Sequence, residues 1–280
     1  MLNNVASSLR KLTFIKRNKT INSFLKKSSL VIAKLIYGEK KLVSIASKYN
    51  FYLDSSFAFS NYESWGQEHN GGFSKLIEVS KDKKVIFDIG GHVGLCALPM
   101  SAQIDKSSKI YTFEPSNQNR KFLKKHISMN NINNIEVIED LLGDSIKNDV
   151  EFYELIDVSG TPSIVNIKEG FKKVLKKQIT LDSFCAERNV IPELLKIDVE
   201  GAEFFVIDGA YETIEKHKPD IMLSLHPKHL KQLGLDINYV FEFAEKFNYN
   251  IYDCNTMKIL SNKDFLLFDE YYLTTKKDMD

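Results

Sequence analysis

The feature that most constrains this chain is a repeated alternation of two patterns. Short apolar runs of strand length end in a glycine, an acid or both, and segments of helical spacing separate them. Val85-Ile86-Phe87-Asp88-Ile89 is the first run and opens into Gly90-Gly91-His92-Val93-Gly94 and a helix. Lys109-Ile110-Tyr111-Thr112-Phe113 is the second, closed by Glu114-Pro115 and followed by a helix over residues 117–130. Ile135-Glu136-Val137-Ile138 is the third. Leu194-Leu195-Lys196-Ile197-Asp198 is the fourth, with a helix over residues 201–216. Residues 220–225, 250–252 and 265–268 supply three more. Runs of this length between helical segments specify an α/β, doubly wound, mostly parallel sheet, here seven-stranded. Ligands of such sheets bind beyond the carboxyl ends of the strands, so the residues just after each strand are the ones to watch.

The remaining segments elaborate this plan. Residues 151–155 begin an insertion, read as a hairpin turning at Ser159-Gly160-Thr161-Pro162, and Asp182 is placed to cap the next helix. Upstream, residues 49–53 and 57–59 alternate like short strands, Trp65 to Phe73 is a polar, Gly-rich turn, and a helix follows over residues 74–80. The division expected is an N-terminal basic, mainly helical extension over residues 1–64 and one catalytic-size domain over residues 65–280.

Charge separates the two. The 280 residues carry a net charge of +1, which gives the whole chain no electrostatic affinity for nucleic acid. Residues 1–50, however, contain a single acid, Glu39, among many Lys and Arg. Their apolar residues recur at helical spacing (Leu2, Val5, Leu9, Leu12, then Ile21 with Phe24 or Leu25), which reads as one or two basic amphipathic helices. Such an arm either packs on the domain or makes peripheral contact with an anionic membrane or acidic partner. No run of 18 apolar residues exists, and residues 30–37 are too short and too broken by Lys34 for a signal peptide. The three cysteines, Cys96, Cys185 and Cys254, are widely spaced, which argues for a reducing compartment and against a zinc site. A cytoplasmic protein, at the inner membrane surface through its arm, is the expectation.

The chemistry-bearing residues lie where the sheet would place them. A dinucleotide fingerprint in this register needs glycine at position 89, which is Ile, and Asp88 stands where a pyrophosphate would be repelled. An acid there suits instead the ammonium of S-adenosyl-L-methionine (SAM), reached directly or through water. Gly90, Gly91 and Gly94 let the backbone turn, with His92 among them, and the helix start favours the cofactor's carboxylate. Glu114, 20 residues beyond Gly94, is placed to accept hydrogen bonds from ribose hydroxyls, with Pro115 as an apolar edge for adenine. Asp140 and Leu141 are placed to meet the adenine amino group and face, with Glu139 or Asp144 as alternatives to Asp140. After the fourth strand come Asp198, Glu200 and Glu203. Asp198 faces the cleft at the strand end, whereas Glu200 and Glu203 fall where acids also cap helices.

These strings resemble the FkbM family of methyltransferases. Phe87 to Gly94, Thr112-Phe113-Glu114-Pro115, Leu181-Asp182-Ser183-Phe184 and Leu195-Lys196-Ile197-Asp198-Val199-Glu200-Gly201-Ala202-Glu203 carry the resemblance in the family's order and spacing. Trp65 to Phe73 resembles what some members carry before the domain. The likeness spans residues 65–275 and is best over 85–227. Gly91-His92 departs from the Ala-Asn of many members. The resemblance implies a Rossmann-like class I methyltransferase fold, SAM as methyl donor, and O-methylation of a hydroxyl on a sugar, glycolipid or polyketide-like metabolite, so a small-molecule or glycan acceptor. A hydroxyl is a poor nucleophile and benefits from a base. Asp198 and His226, the latter directly after the fifth strand, are the candidates, with Glu200 third. His226-Pro227-Lys228-His229 with Asp198 also spells a metal option, but a His at a strand end is more often a hydrogen-bonded structural group, and no metal is expected. An NAD(P)-dependent oxidoreductase and a non-catalytic module acting through the basic arm are the competing readings.

Overall fold

The computed structural model describes residues 19–67, 70–154, 171–262, 264 and 270–276, with the side chains of residues 19–27 excepted. Helix α1 (Lys19–Tyr37) leads into a hairpin of β1 (Lys40–Ile45) and β2 (Tyr49–Asp54), then a 3-10 turn at Ser55–Phe57. Helix α2 (Phe73–Ser80) precedes β3 (Val85–Ile89), α3 (Ala97–Ser101), β4 (Lys109–Phe113), α4 (Asn117–Met129) and β5 (Ile135–Ile138). A three-stranded side unit follows: β6 (Leu141–Leu142), β7 (Lys147–Glu154) and β8 (Lys172–Ile179). The chain continues through α5 (Leu181–Arg188), β9 (Leu194–Ile197), α6 (Glu203–Asp208), α7 (Tyr211–His217), β10 (Asp220–Ser224), α8 (Pro227–Gln232) and α9 (Tyr239–Phe247). It closes with β11 (Asn250–Asp253), β12 (Ile259–Leu260) and β13 (Glu270–Thr274).

The central sheet runs β12-β11-β13-β10-β9-β3-β4-β5. Strands β10, β9, β3, β4 and β5 are parallel; β13 and β11 join antiparallel. The order reverses between β3 and β9, and that is the topological switch point. The α/β, mostly parallel sheet is as expected, with eight strands among the described residues instead of seven. The additional one, β12, is a two-residue edge strand too short to leave a sequence signal. Residues 265–268, expected as a strand, and the turn expected at residues 159–162 lie outside the described residues. The last strand described is β13, and β7 pairs β8 antiparallel as the expected hairpin requires.

Strand alternation splits the core into two layers. Phe87, Tyr111, Leu195 and Leu223 face one cluster, with Phe184 of α5 against them. Ile86, Ile110, Leu194 and Met222 face the other, with Leu98 and Met100 of α3 and Phe73 and Leu76 of α2. The β1–β2 hairpin shares this second cluster through Val43, Ile45, Phe51 and Leu53. Polar ties add to it: Tyr52 and Asn130 exchange two 2.8 Å hydrogen bonds, and Lys125 of α4 pairs with Asp54.

Local rules fix the helix ends, with three departures from expectation. The Thr180 hydroxyl caps α5 by accepting from Ser183 N–H, a place expected for Asp182. Asp182 instead accepts from the backbone N–H groups of Glu212 and Thr213 at 2.9 and 2.8 Å and caps the start of α7 across space. The helix expected over 201–216 is two, because the chain turns at Gly209-Ala210 between α6 and α7. Residues 57–59, expected as a strand, belong to the 3-10 turn and the loop after it; the Asp54 carboxylate accepts from Ser56 N–H and bends the chain there.

Candidate functional site

A cavity of about 350 Å³ opens beyond the carboxyl ends of β3, β4 and β9, at the switch point. Backbone hydrogen bonds hold its floor together. Gly90 and Gly91 N–H both donate to Phe113 C=O, and Asp198 N–H donates to Ile89 C=O. Gly90 has φ +87°, and a Cβ there would stand 1.9 Å from the Asp198 carbonyl oxygen. A Cβ on Gly91 would stand 1.9 Å from Thr112 Cγ2. The two glycines therefore let β3, β4 and β9 converge at their ends.

The parallel register sets Asp88 beside both Thr112 and Lys196. Asp88 is fully buried, and Lys196 Nζ lies 3.3 Å from its Oδ1. Lys196 also donates to Gly90 C=O at 3.1 Å and lies 3.6 Å from Asp198 Oδ2. Burial pushes the Asp88 carboxyl up, an effect the Lys196 ammonium partly offsets. For Lys196 burial works against the charge, but Asp88 and Asp198 outweigh it and hold the ammonium above its ordinary range. Lys196 stays a cation and reaches the cavity wall, whereas Asp88 does not.

Glu114 lines the cavity with both carboxylate oxygens engaged: Oε2 accepts from His92 N–H at 2.7 Å and Oε1 from Ser116 N–H at 2.8 Å. Burial pushes its carboxyl up to about 7, against the pull of these donors. Beyond it the wall turns apolar at Pro115, Leu141, Leu142 and Phe152, with Asp140 beside them. Of the alternatives to Asp140, Glu139 is exposed and pairs with Arg120, and Asp144 pairs with Lys147; neither lines the cavity.

At the other end stand Asp198, Glu200 and His226. Asp198 follows β9 directly and is partly exposed. His226 Nε2 lies 3.8 Å from Asp198 Oδ1 and 3.6 Å from Glu200 Oε2. Its Nδ1 lies 2.6 Å from Oε1 of buried Glu203, which also accepts from Gly201 N–H. Burial lowers the imidazole's basicity, but the Glu203 hydrogen bond and the charges of Glu203, Asp198 and Glu200 prevail and hold it at about 9. His226 is thus an imidazolium near neutrality. Glu200, expected near a helix cap, is not one. It takes a left-handed φ of +53° two residues before the Ala202 cap, a costly conformation for a branched-free but non-glycine residue, and its Oε2 lies 3.3 Å from His229 Nδ1. Among the described residues no group of three or more His, Cys, Asp or Glu is arranged to hold a metal ion.

All the site residues expected from sequence except Asp88 and Gly94 line this cavity. Asp88 stands behind it, neutralised by Lys196. Gly94, at φ +95°, is pressed on Leu98 and Leu123 and serves packing. Sequence reasoning missed Lys196, although a lysine inside an otherwise apolar strand is a signal for a buried charge with a partner. It also passed over a wall of Tyr62, Trp65 and Asn70. Tyr62 and Trp65 meet edge to face at 6.2 Å, and the Trp65 indole N–H is buried without a protein partner.

A switch-point cavity with an acid after the second parallel strand and an apolar slot beyond it is the site of a Rossmann-like protein that binds a nucleoside cofactor. The model of the Methyltransferase FkbM domain matches residues 88–251, and the chain belongs to that family of SAM-dependent methyltransferases. The oxidoreductase reading is thereby set aside. No curated protein matches the chain. Similar solved structures include Methyltransferase FkbM from Methylobacillus flagellatus KT, at 17% identity and TM-score 0.43, covering 69% of this chain and 44% of that one. The chain thus spans under half the length of that protein. M. jannaschii TYW2 in complex with AdoMet aligns at 12% identity and TM-score 0.40 over 84% of each chain. The O-methyltransferase from Bacillus cereus in complex with SAH aligns at 12% identity and TM-score 0.40, over 72% of this chain and 79% of that one.

Proposed function

We infer that this chain methylates a hydroxyl oxygen on a sugar, a glycolipid or a related metabolite. The observation that carries the reading is the partly exposed carboxylate of Asp198 at the switch point, flanked by two cations, Lys196 and His226, and reached from a cavity with an aromatic wall.

The residues present fit SAM. Glu114 offers carboxylate lone pairs to a ribose diol, Pro115, Leu141, Leu142 and Phe152 offer an apolar wall to adenine, and Asp140 accepts from an exocyclic amine. Gly90 and Gly91 expose backbone at the methionine end. When bound, SAM supplies an electrophilic methyl group on a sulfonium. The chain's own residues do the rest. Asp198 accepts a hydrogen bond from the acceptor hydroxyl, aligns its lone pair for in-line attack and takes its proton. His226, protonated near neutral pH and tied to Glu203, is not that base; its positive charge, 3.8 and 3.6 Å from Asp198 and Glu200, draws both carboxylates toward it. Lys196 holds the Asp88 and Asp198 side of the floor in place. Tyr62 and Trp65 suit the apolar C–H face of a sugar ring, while Asn70 and the unpaired indole N–H suit its hydroxyls.

Incubation with methyl-labelled SAM and extracted glycans and glycolipids tests the reading. Label recovered as a base-stable methyl ether on a sugar supports it. Label released by mild base as methanol, or found on protein or nucleic acid, overturns it.

A further inference from the structure

Helix α1 presents to solvent a face that a free globular surface does not need. At about 3.6 residues per turn, Ala33 and Tyr37 fall on one side and Val31 and Leu35 on the opposite side. Ala33 is buried, and Tyr37 packs edge to face on Phe59 at 6.4 Å. Val31 and Leu35 are 59% and 80% exposed, and Leu30, Ile32 and Ile36 are exposed beside them. Four contiguous aliphatic side chains, Val31, Ile32, Leu35 and Ile36, stand in the open on a helix whose packed side is already satisfied, and they mark an interaction surface.

The charge of this segment selects the partner. Residues 1–50 hold 11 Lys and Arg and one acid, Glu39, which pairs with Lys125 of α4 at 3.3 Å. Lys26, Lys27 and Lys34 lie within α1 itself, and the helix contains no acid. A second copy docked face to face would set one basic helix against another, with no acid in either to offset the charge. An anionic bilayer offers hydrocarbon for the aliphatic face and headgroup charge for the lysines. Nineteen residues could reach across a bilayer by length, but among the described residues no helix is long and apolar enough to cross one. The helix suits lying in the interface, with lysine stems reaching up to the headgroups.

We propose that α1 docks the protein on an anionic lipid surface, with Val31, Ile32, Leu35 and Ile36 in the outer hydrocarbon. The docking helix is continuous with the cavity rim: Tyr37 packs on Phe59, three residues before Tyr62 of the aromatic wall. The proposal holds whichever hydroxyl is methylated, so its test does not depend on the acceptor.

The test is flotation of the full chain with vesicles of phosphatidylcholine alone and of phosphatidylcholine doped with phosphatidylglycerol. Binding is expected to the doped vesicles, to fall with added salt, and to drop about tenfold or more in the double variant Val31→Asp with Leu35→Asp. Both positions are exposed, and unchanged SAM affinity by calorimetry shows that the variant is folded. Equal flotation with both vesicle types overturns the proposal, as does doped-vesicle binding that survives the double variant. A dimer by light scattering that the double variant dissolves, without vesicle binding, overturns it in favour of a second copy.

Discussion

At the scale of single residues, the site separates two carboxylates by environment. Glu114 is buried and held at about 7, so it is half protonated near neutrality. A ribose diol donates to the ionised form, so SAM binding should release a proton at and below that pH. The expected outcome is an affinity for SAM that rises with pH through about 7 and then levels, with calorimetric heats that depend on the buffer's ionisation enthalpy. Glu114→Ala should weaken SAM binding by about 1–3 kcal/mol, as for a charged hydrogen bond, and remove the proton release. Asp198 is partly exposed to the cavity and does different work. Asp198→Asn keeps the shape and removes the proton acceptor, and single-turnover methylation should slow by about 10²–10⁴-fold. SAM affinity measured on the same variant should change far less. Turnover near that of the parent would leave alignment as the whole account of catalysis.

At the scale of elements, the strand ends were legible from sequence because each combines an apolar run with a polar or charged residue directly after it. Glu114, Asp198 and His226 were picked out this way, and all three line the cavity. Asp88 stands one step back from the cavity wall, a placement the sequence does not show, because register is a pairing between strands that no single strand encodes. The parallel alignment of β3 with β9 sets Asp88 against Lys196, and the two form a buried ion pair at the cavity floor. Lys196→Met should therefore destabilise the fold by about 3–5 kcal/mol by leaving a buried carboxylate unpaired, and adding Asp88→Leu should restore much of that in denaturant unfolding. Asp182 shows the same limit. Its sequence position suggests a local cap, whereas the folded chain spends it on α7, 30 residues on. Asp182→Ala should cost about 0.5–2 kcal/mol, typical of a lost N-cap. The hairpin β1–β2 was only half legible, because the inward residues of β1, Val43 and Ile45, are two among several scattered apolar positions. Both sit in the sheet's second cluster with Leu53 of β2, which is fully buried. Leu53→Ala should cost about 2–5 kcal/mol by thermal or chemical unfolding, the range for a large-to-small core change.

At the scale of the whole molecule, two buried groups tie stability to pH in the same direction. Glu114 titrates at about 7 in the fold against an ordinary 4.5, so between those values the native state holds a proton that the unfolded chain releases. Stability therefore falls as pH rises through that window. His226 titrates at about 9 in the fold against an ordinary 6.5, so its contribution is fully present below 6.5 and is lost as pH rises through 9. The two windows adjoin, and each shift corresponds to about 3.5 kcal/mol at most, because one pKa unit is worth about 1.4 kcal/mol. Asp54, whose carboxyl is lowered, gains its stability below both windows, whereas His126, whose imidazole burial lowers, opposes the trend just below its ordinary 6.5 and makes the first part of the decline shallower. The ligand-free protein should thus be most stable on the acid side of neutrality and lose several kcal/mol between about pH 5 and about pH 9. Saturating SAM, by favouring ionised Glu114, should flatten the lower half of that decline and leave the upper half, which belongs to His226 and its carboxylates. Urea unfolding across this range, with and without SAM, reads both halves separately. Glu114→Gln should remove the lower slope and His226→Gln the upper one. A ligand-free stability that climbs with pH instead would mean that neither group is held as its burial and partners require.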